Sequence, residues 1–298
     1  MAKAPEQELA ADATPAPAAS LVQYSSAYGY SAAGSAVAQD RRGDRPRRSR
    51  RGWLIAAGAV LPLVLLAGWQ LIAVTELIPA YRLPSPAQVW QAGVDLAVSG
   101  LLGQYVAISL QRVLIGFFVG SIVGLVLGSI VGLSRVASAF FAPTIGGFRA
   151  VPSLAWVPLL ILYVGINEDS KVILIAIGAL FPVYTTVAGA LRHVDPQLVE
   201  LGGAYGLNRF QLLRQIQLPA VVPSVVSGLR LALAQSWLFL VAAELIASSM
   251  GLGFLLVDSQ NNGRVDRMWL TIILLGVLGK TTDALIGLLE RYLLKRWG

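Results

Sequence analysis

Five charged residues stand inside long apolar runs of this sequence: Arg149, Arg230, Glu244, Lys280 and Asp283. A charge carried into a bilayer costs about 2.5–3.5 kcal/mol on insertion scales, so such residues face protein or water. They can fix helices together as ion pairs, or they can line a polar path. Lys280 and Asp283 are three apart and share one helix face. Glu244 and Lys280 lie in consecutive late runs and could pair between helices. Arg149 has a different setting. Gly146, Gly147 and Pro152 flank it and Pro158 follows, a run poorly suited to an unbroken helix. Irregular backbone at membrane depth needs protein or a water-filled cavity beside it. A guanidinium is a permanently charged, planar donor fork that suits oxyanions. Arg149, Glu244 and Lys280 are thus candidates to line a translocation path, and Arg149 can offer a weak site to an oxyanion there. Alternatively it caps the carbonyls of a broken helix, or marks the inner surface.

Other chemistry is excluded by what is missing. There is no cysteine, so disulfides and thiolate reactions drop out. The single histidine, His193, and the scattered carboxylates supply no metal site, and no metal is expected. No G-x-x-x-x-G-K-[ST] loop is present to hold nucleotide phosphates. Glu244 and Asp283 are too dispersed to make the clustered carboxylates of an intramembrane enzyme. The chain is expected not to be an enzyme and to need no cofactor of its own.

The elements that carry these residues are hydrophobic helices. Of 298 residues, 56% are apolar and 13% charged. Runs of about 18 or more mostly apolar residues read as membrane spans, and six are predicted: 53–75, 111–133, 137–166, 171–191, 221–247 and 268–290. The third, with three prolines, is expected to be broken. Between the first two lies a proline-punctuated segment with an interfacial helix, opened by Ser85 and Pro86. Residues 1–51 read as a disordered tail, poor in aliphatics to residue 40 and closing with RRGDRPRRSRR at 41–51. The net charge of +7 owes much to that cluster. Directly before a span, it is a positive-inside topology signal and not a nucleic-acid patch. Six spans then place both termini in the cytoplasm. Arg135, Arg192, Arg209, Arg214, Arg291, Lys295 and Arg296 fall inside; Arg82, Lys171, Arg264 and Arg267 fall at the outer side. The chain divides into the tail (1–51), a first helix with its outer segment (52–104), and a main domain (105–298).

Two patterns inside that domain concern packing and partners. Gly116, Gly120, Gly124, Gly128 and Gly132 recur every four residues in the second span. Small residues let helices approach closely in lipid, so this ridge is a packing surface, either static within one subunit or sliding between states. The second pattern is the cytoplasmic loop 195–219. A helix starts after Pro196 and stops at Gly206, which can take positive φ. Asn208 and Gln211 form a capping-box-like pair for a second short helix. Leu218 and Pro219 are expected to end it, because proline disfavours the α conformation in the residue before it.

This loop resembles the signature loop of ABC-importer permeases: EAA, three residues, Gly, nine residues, then I-x-L-P. Glu200, Gly206, Ile216, Leu218 and Pro219 occupy the matching positions, while Leu201 and Gly202 replace the two alanines. Over about 105–293 the chain is similar to the sulfonate, taurine and nitrate branch of that family. AELIASSMGLGFLL and LGKTTDALIGLLER look most like aliphatic-sulfonate permeases. The resemblance implies an all-α, polytopic type I importer domain in a bacterial inner membrane. It implies that 195–219 couples to a separate ATPase, and an assembly of two permease copies, two ATP-binding subunits and an external solute-binding protein. The cargo would be an aliphatic sulfonate, with taurine, nitrate or bicarbonate as alternatives. A secondary transporter is the rival class, and it would require inverted repeats with matching broken helices; only the third span is broken.

Overall fold

In the computed structural model, residues 48–297 are described. Two units divide the chain, 1–57 and 58–298, and the packed helices belong to the second. The tail expected over 1–51 lies outside the described residues except for its last four. Every regular element described is helical: α1 Arg48–Val74, α2 Pro86–Val98, α3 Leu101–Leu133, α4 Arg135–Ala150, a 3-10 turn Ser153–Ala155, α5 Trp156–Val164 and α6 Glu168–Arg192. Then come α7 Pro196–Ala204, α8 Arg209–Leu212, a π turn Leu213–Gln217, α9 Leu218–Ala247, α10 Leu252–Asn261 and α11 Val265–Trp297. By length and composition, four stretches can cross a membrane: Leu101–Leu133, Glu168–Arg192, Phe210–Ile246 and Val265–Tyr292. Val60–Val74 in α1 is apolar but shorter.

The glycine ridge sets the central contact. A Cβ at Gly116 would lie 2.6 Å from Ile175 Cβ, at Gly124 2.7 Å from Leu180 O, at Gly128 2.9 Å from Val187 Cβ and at Gly132 2.9 Å from Leu191 Cβ. At Gly120 it would meet the Ala176 carbonyl. Residue numbers rise together along both helices, so α3 and α6 run parallel. The ridge packs within one subunit. α9 lies antiparallel on α6, with Gly178 under the Phe239 ring and Gly228 against Thr186. α11 packs antiparallel on α9 through Arg230–Asp283 and Trp237–Thr282. Val113, Ile175, Ala179, Val183, Ala232 and Leu240 fill the core between α3, α6 and α9.

Parallel neighbours require the chain to return between them. Residues 134–167 must therefore cross the layer, and they do so in two pieces. α4, with 16 residues, and α5, with 9, supply about 24 and 14 Å at 1.5 Å per residue. Val151 is extended (φ −67°, ψ 125°), as the residue before Pro152 prefers. The third span is thus broken, as its prolines and glycines predict. α2 starts as its sequence predicts: Ser85 Oγ accepts from Gln88 N, and Gln88 Oε1 accepts from Ser85 N. α10 is an addition that the apolar pattern did not single out.

Candidate coupling loop, ionic cluster and basic clefts

The loop after α6 folds largely on local rules. Asp195 Oδ1 accepts from Gln197 N at 2.9 Å and caps α7. Gly206 sits at φ +76°, and Leu207 N bonds back to Gly202 O at 3.1 Å, a glycine-type helix stop. Asn208 and Gln211 exchange bonds of 3.0 and 2.8 Å and start α8. Gly202 is buried: a Cβ there would meet Ile216 Cδ1 and Leu212 Cδ1, each at 2.6 Å. The glycine thus lets α7 lie close on the following turn. Glu200 is exposed, as are Leu201, Tyr205 and Phe210, Tyr205 at 80%. The loop therefore presents Glu200 among exposed apolar side chains, with Asp195 and Arg214 also exposed.

The expected stop at Leu218–Pro219 does not occur. Leu218 is helical (φ −61°, ψ −49°) and its N–H bonds to Leu213 O, so the loop's second helix runs into α9. A proline ring normally clashes with the carbonyl four residues back and removes a donor. The five-residue π turn widens the helix just before Pro219, the second residue of α9.

At the opposite end of α6 and α9 is an ionic cluster, buried at Arg112, Lys171 and Glu244 and open at Glu168. Arg112 of α3 donates from Nε and Nη2 to Glu168 at 2.6 and 2.7 Å, and from Nη1 to Glu244 Oε1 at 2.6 Å. Its Nη1 also reaches Met250 O at 2.7 Å. Glu244, 1% exposed, accepts further bonds from Ser109 Oγ at 2.8 Å and Gly253 N at 2.7 Å. Ser109 Oγ accepts from Leu252 N at 2.8 Å, and Lys171 donates to Glu168 at 2.8 Å. The first turn of α10 is thereby tied to α3 and α9. Gly251 (φ +118°) and Gly253 lie directly against the Glu244 side chain, where a Cβ would not fit.

This arrangement corrects the expected Glu244–Lys280 pair. Lys280 is 81% exposed and pairs with Asp283, at 3.5 Å. Asp283 takes two bonds from Arg230, at 2.9 and 3.0 Å, and Glu290 a third at 3.2 Å. Arg230, singled out from the sequence, thus holds α11 to α9. Arg112 was missed because it stands at the polar edge of its run and its partners lie 56 and 132 residues away.

Arg149 occupies the last turn of α4, is exposed, and lines a cleft between α4 and α6. The cleft holds about 260 Å³ and is bounded by Ala142, Gly146, Tyr184, Thr185 and Arg192 as well. A second cavity of about 570 Å³ shares Arg192 and adds Ser134, Arg135, Ser138 and Gln217. Arg149 thus meets neither Glu244 nor Lys280.

Residues 116–295 match the family described as binding-protein-dependent transport system inner membrane component. A protein of Bacillus subtilis (strain 168), by name the aliphatic sulfonates transport permease protein SsuC, is 38% identical over 84% of this chain and 90% of its own length. Its namesake in Escherichia coli (strain K12) is 42% identical over 82% of this chain and 93% of its own. The taurine transport system permease protein TauC of E. coli is 32% identical over 70% and 79%. Among solved structures, an inward-facing MetNI methionine ABC transporter chain aligns at a TM-score of 0.56 and 20% identity, covering 66% of this chain and 98% of that one. That likeness is one of fold.

Proposed function

The chain belongs to the inner-membrane components of binding-protein-dependent transport systems, and from that premise we propose that it is the permease of an ATP-driven importer of aliphatic sulfonates. A multi-pass inner-membrane subunit of this kind works with ATPase subunits and a solute-binding protein. The sulfonate reading rests on the two relatives that carry that name at 38 and 42% identity over more than four-fifths of this chain.

The observation that carries the mechanism is the self-packed loop 195–219. Gly206, the Asn208–Gln211 box and Gly202 hold it in one shape, which leaves Glu200, Leu201, Tyr205 and Phe210 among its exposed side chains. A surface of exposed apolar side chains with charges among them fits a groove of a partner protein. Glu200 and Gly206 orient that surface. Ile216, Leu218 and Pro219 carry its motion into α9, because the π turn joins loop and spanning helix without a break. Movement of an ATPase groove thus becomes rotation or tilt of α9. Arg149 lines the path. Both termini and the loop lie in the cytoplasm, and two copies of the chain form the pathway between them.

The test is uptake by the complex reconstituted with its ATPase and binding protein. Methanesulfonate and taurine, nitrate and bicarbonate are compared with and without ATP. ATP-dependent uptake led by an alkyl sulfonate is expected. Preference for nitrate or bicarbonate overturns the sulfonate reading; uptake without the ATPase overturns the importer reading. Reporter fusions after Ser99 and Asn262 should report the outer side, and after Arg192 the inner; an inner reading at Asn262 removes the topology.

A further inference from the structure

Two cavities beside α4 and α6 share one basic residue, Arg192. Arg149 and Arg192 line the first, Arg192 and Arg135 the second. Neither lining contains a carboxylate. Among the described residues, no ion pair involves any of the three arginines. By contrast, Arg112 of α3 pairs with two glutamates, and Arg230 of α9 pairs with Asp283 and Glu290. Each cavity thus gathers two arginines and no acid, a lining that favours an anion.

The geometry arranges them in depth. Arg135 opens α4 and Arg149 is fourteen residues further on, about 21 Å along the helix. Arg192 closes α6, and Tyr184 and Thr185 lie two turns deeper beside Arg149. Arg192 is held across the gap by Ser138 Oγ, which accepts from its Nη2 at 2.7 Å. Ser134, Ser138, Thr185, Tyr184 and Gln217 supply further hydroxyl or amide groups along the walls. The space is kept open by small residues: a Cβ at Gly146 or Gly189 meets nothing within 4 Å.

We infer that this cleft is a stepped binding site for a tetrahedral oxyanion, with Arg149 and Arg192 as its deep pair and Arg192 and Arg135 as its exit pair. A sulfonate accepts hydrogen bonds on three oxygens, and guanidinium forks match that acceptor geometry. Sharing Arg192 between two stations lets an anion move toward the loop end without ever being released into an apolar wall. Each station is partly open, which keeps binding weak enough for the anion to leave, as conduction requires. This inference deepens the importer reading and rests on it for the identity of the anion. A phosphate or the headgroup of an anionic lipid shares the same chemistry.

The test uses the full complex in nanodiscs of neutral lipid, without binding protein, and radiolabelled methanesulfonate. Saturable binding that inorganic phosphate displaces is expected. Arg149→Gln and Arg192→Gln should each weaken it about tenfold, the scale of one lost charge-assisted hydrogen bond. Gly146→Leu fills the cleft without removing a charge and should weaken it similarly, which guards against effects of misfolding in the arginine variants. Binding that survives in nanodiscs with anionic lipid supports the cargo as occupant. Displacement by anionic lipid supports the site with a headgroup as occupant. No saturable binding of either ion, or undiminished binding in both the Arg149→Gln/Arg192→Gln double variant and Gly146→Leu, overturns the site. A complex that imports no sulfonate but binds phosphate here loses the importer reading and keeps the site. One that imports sulfonate and binds neither ion loses only the site.

Discussion

Arg112 and Arg149 both lie in apolar stretches, and their surroundings differ completely. Arg112 is buried against two carboxylates, a serine and a backbone carbonyl. Arg149 is exposed to a cleft that holds one other arginine, Arg192, and no acid in its walls. At the α10 end, charge is used to fix helices: α3, α6, α9 and α10 all contribute to one network. At the loop end, charge is left uncompensated beside open space. The sign pattern and the packing agree. Glycines at the fixed interface are filled by neighbouring backbone, as at Gly120 and Gly124, whereas Gly146 and Gly189 face nothing. A charge in a spanning helix therefore reports function through what surrounds it, and residue type alone does not separate the two cases.

The same substitution at both sites tests this contrast most strongly. Arg112→Gln leaves Glu244 buried with its main partner weakened, and breaking a buried pair costs about 3–5 kcal/mol. We expect a marked fall in membrane level and in the thermal midpoint of the purified complex. A midpoint equal to wild type would remove the fixed role of the cluster. Arg149→Gln should change stability by no more than about 0.5 kcal/mol, as for an exposed substitution, while impairing uptake. A large stability loss there would place Arg149 with the structural residues.

Glycines give the next contrast. Gly120→Ala pushes a methyl into the Ala176 carbonyl of α6, and overpacking of this kind costs about 1–3 kcal/mol. Gly146→Ala points into open space and should stabilise α4 by about 0.5–1 kcal/mol through helix propensity. Thermal unfolding of the two variants side by side checks the ordering; equal shifts would mean that α3 and α6 do not pack as described.

The loop supplies a case in which stability and activity should separate. Gly206→Pro fixes φ near −65° at a position that needs +76°, and it should abolish ATP-driven uptake while leaving membrane insertion intact. Wild-type uptake would end the coupling assignment. The smallest effect is expected at Gly202→Ala. The atoms it meets are the terminal methyls of Leu212 and Ile216, which can rotate away, so uptake should stay within about twofold of wild type, a change under 0.5 kcal/mol. A loss as large as that of Gly206→Pro would show that the close α7 contact tolerates no methyl.

Local sequence determined a good deal of this protein. Helix starts at Ser85 and Asn208, the stop at Gly206 and the break before Pro152 depend on residues within four positions of one another, so their bonds could be read from spacing. The ridge from Gly116 to Gly132 was legible for the same reason, since one helix face repeats every four residues. The helix across Leu218–Pro219 was not, because the rule for residues before proline is a preference and a widened turn with the packing of α9 outweighed it. Tertiary structure alone decided which charges meet. Arg112 finds Glu168 and Glu244 because a parallel α3–α6 pair and an antiparallel α9 bring distant ends to one level. Glu244 and Lys280 stay apart because Glu244 is buried against α3 and α10 while Lys280 is exposed beside Asp283. The acid-free clefts likewise exist only once α4, cut short at Ala150, leans beside α6 and leaves the space around Gly146 and Gly189 unfilled.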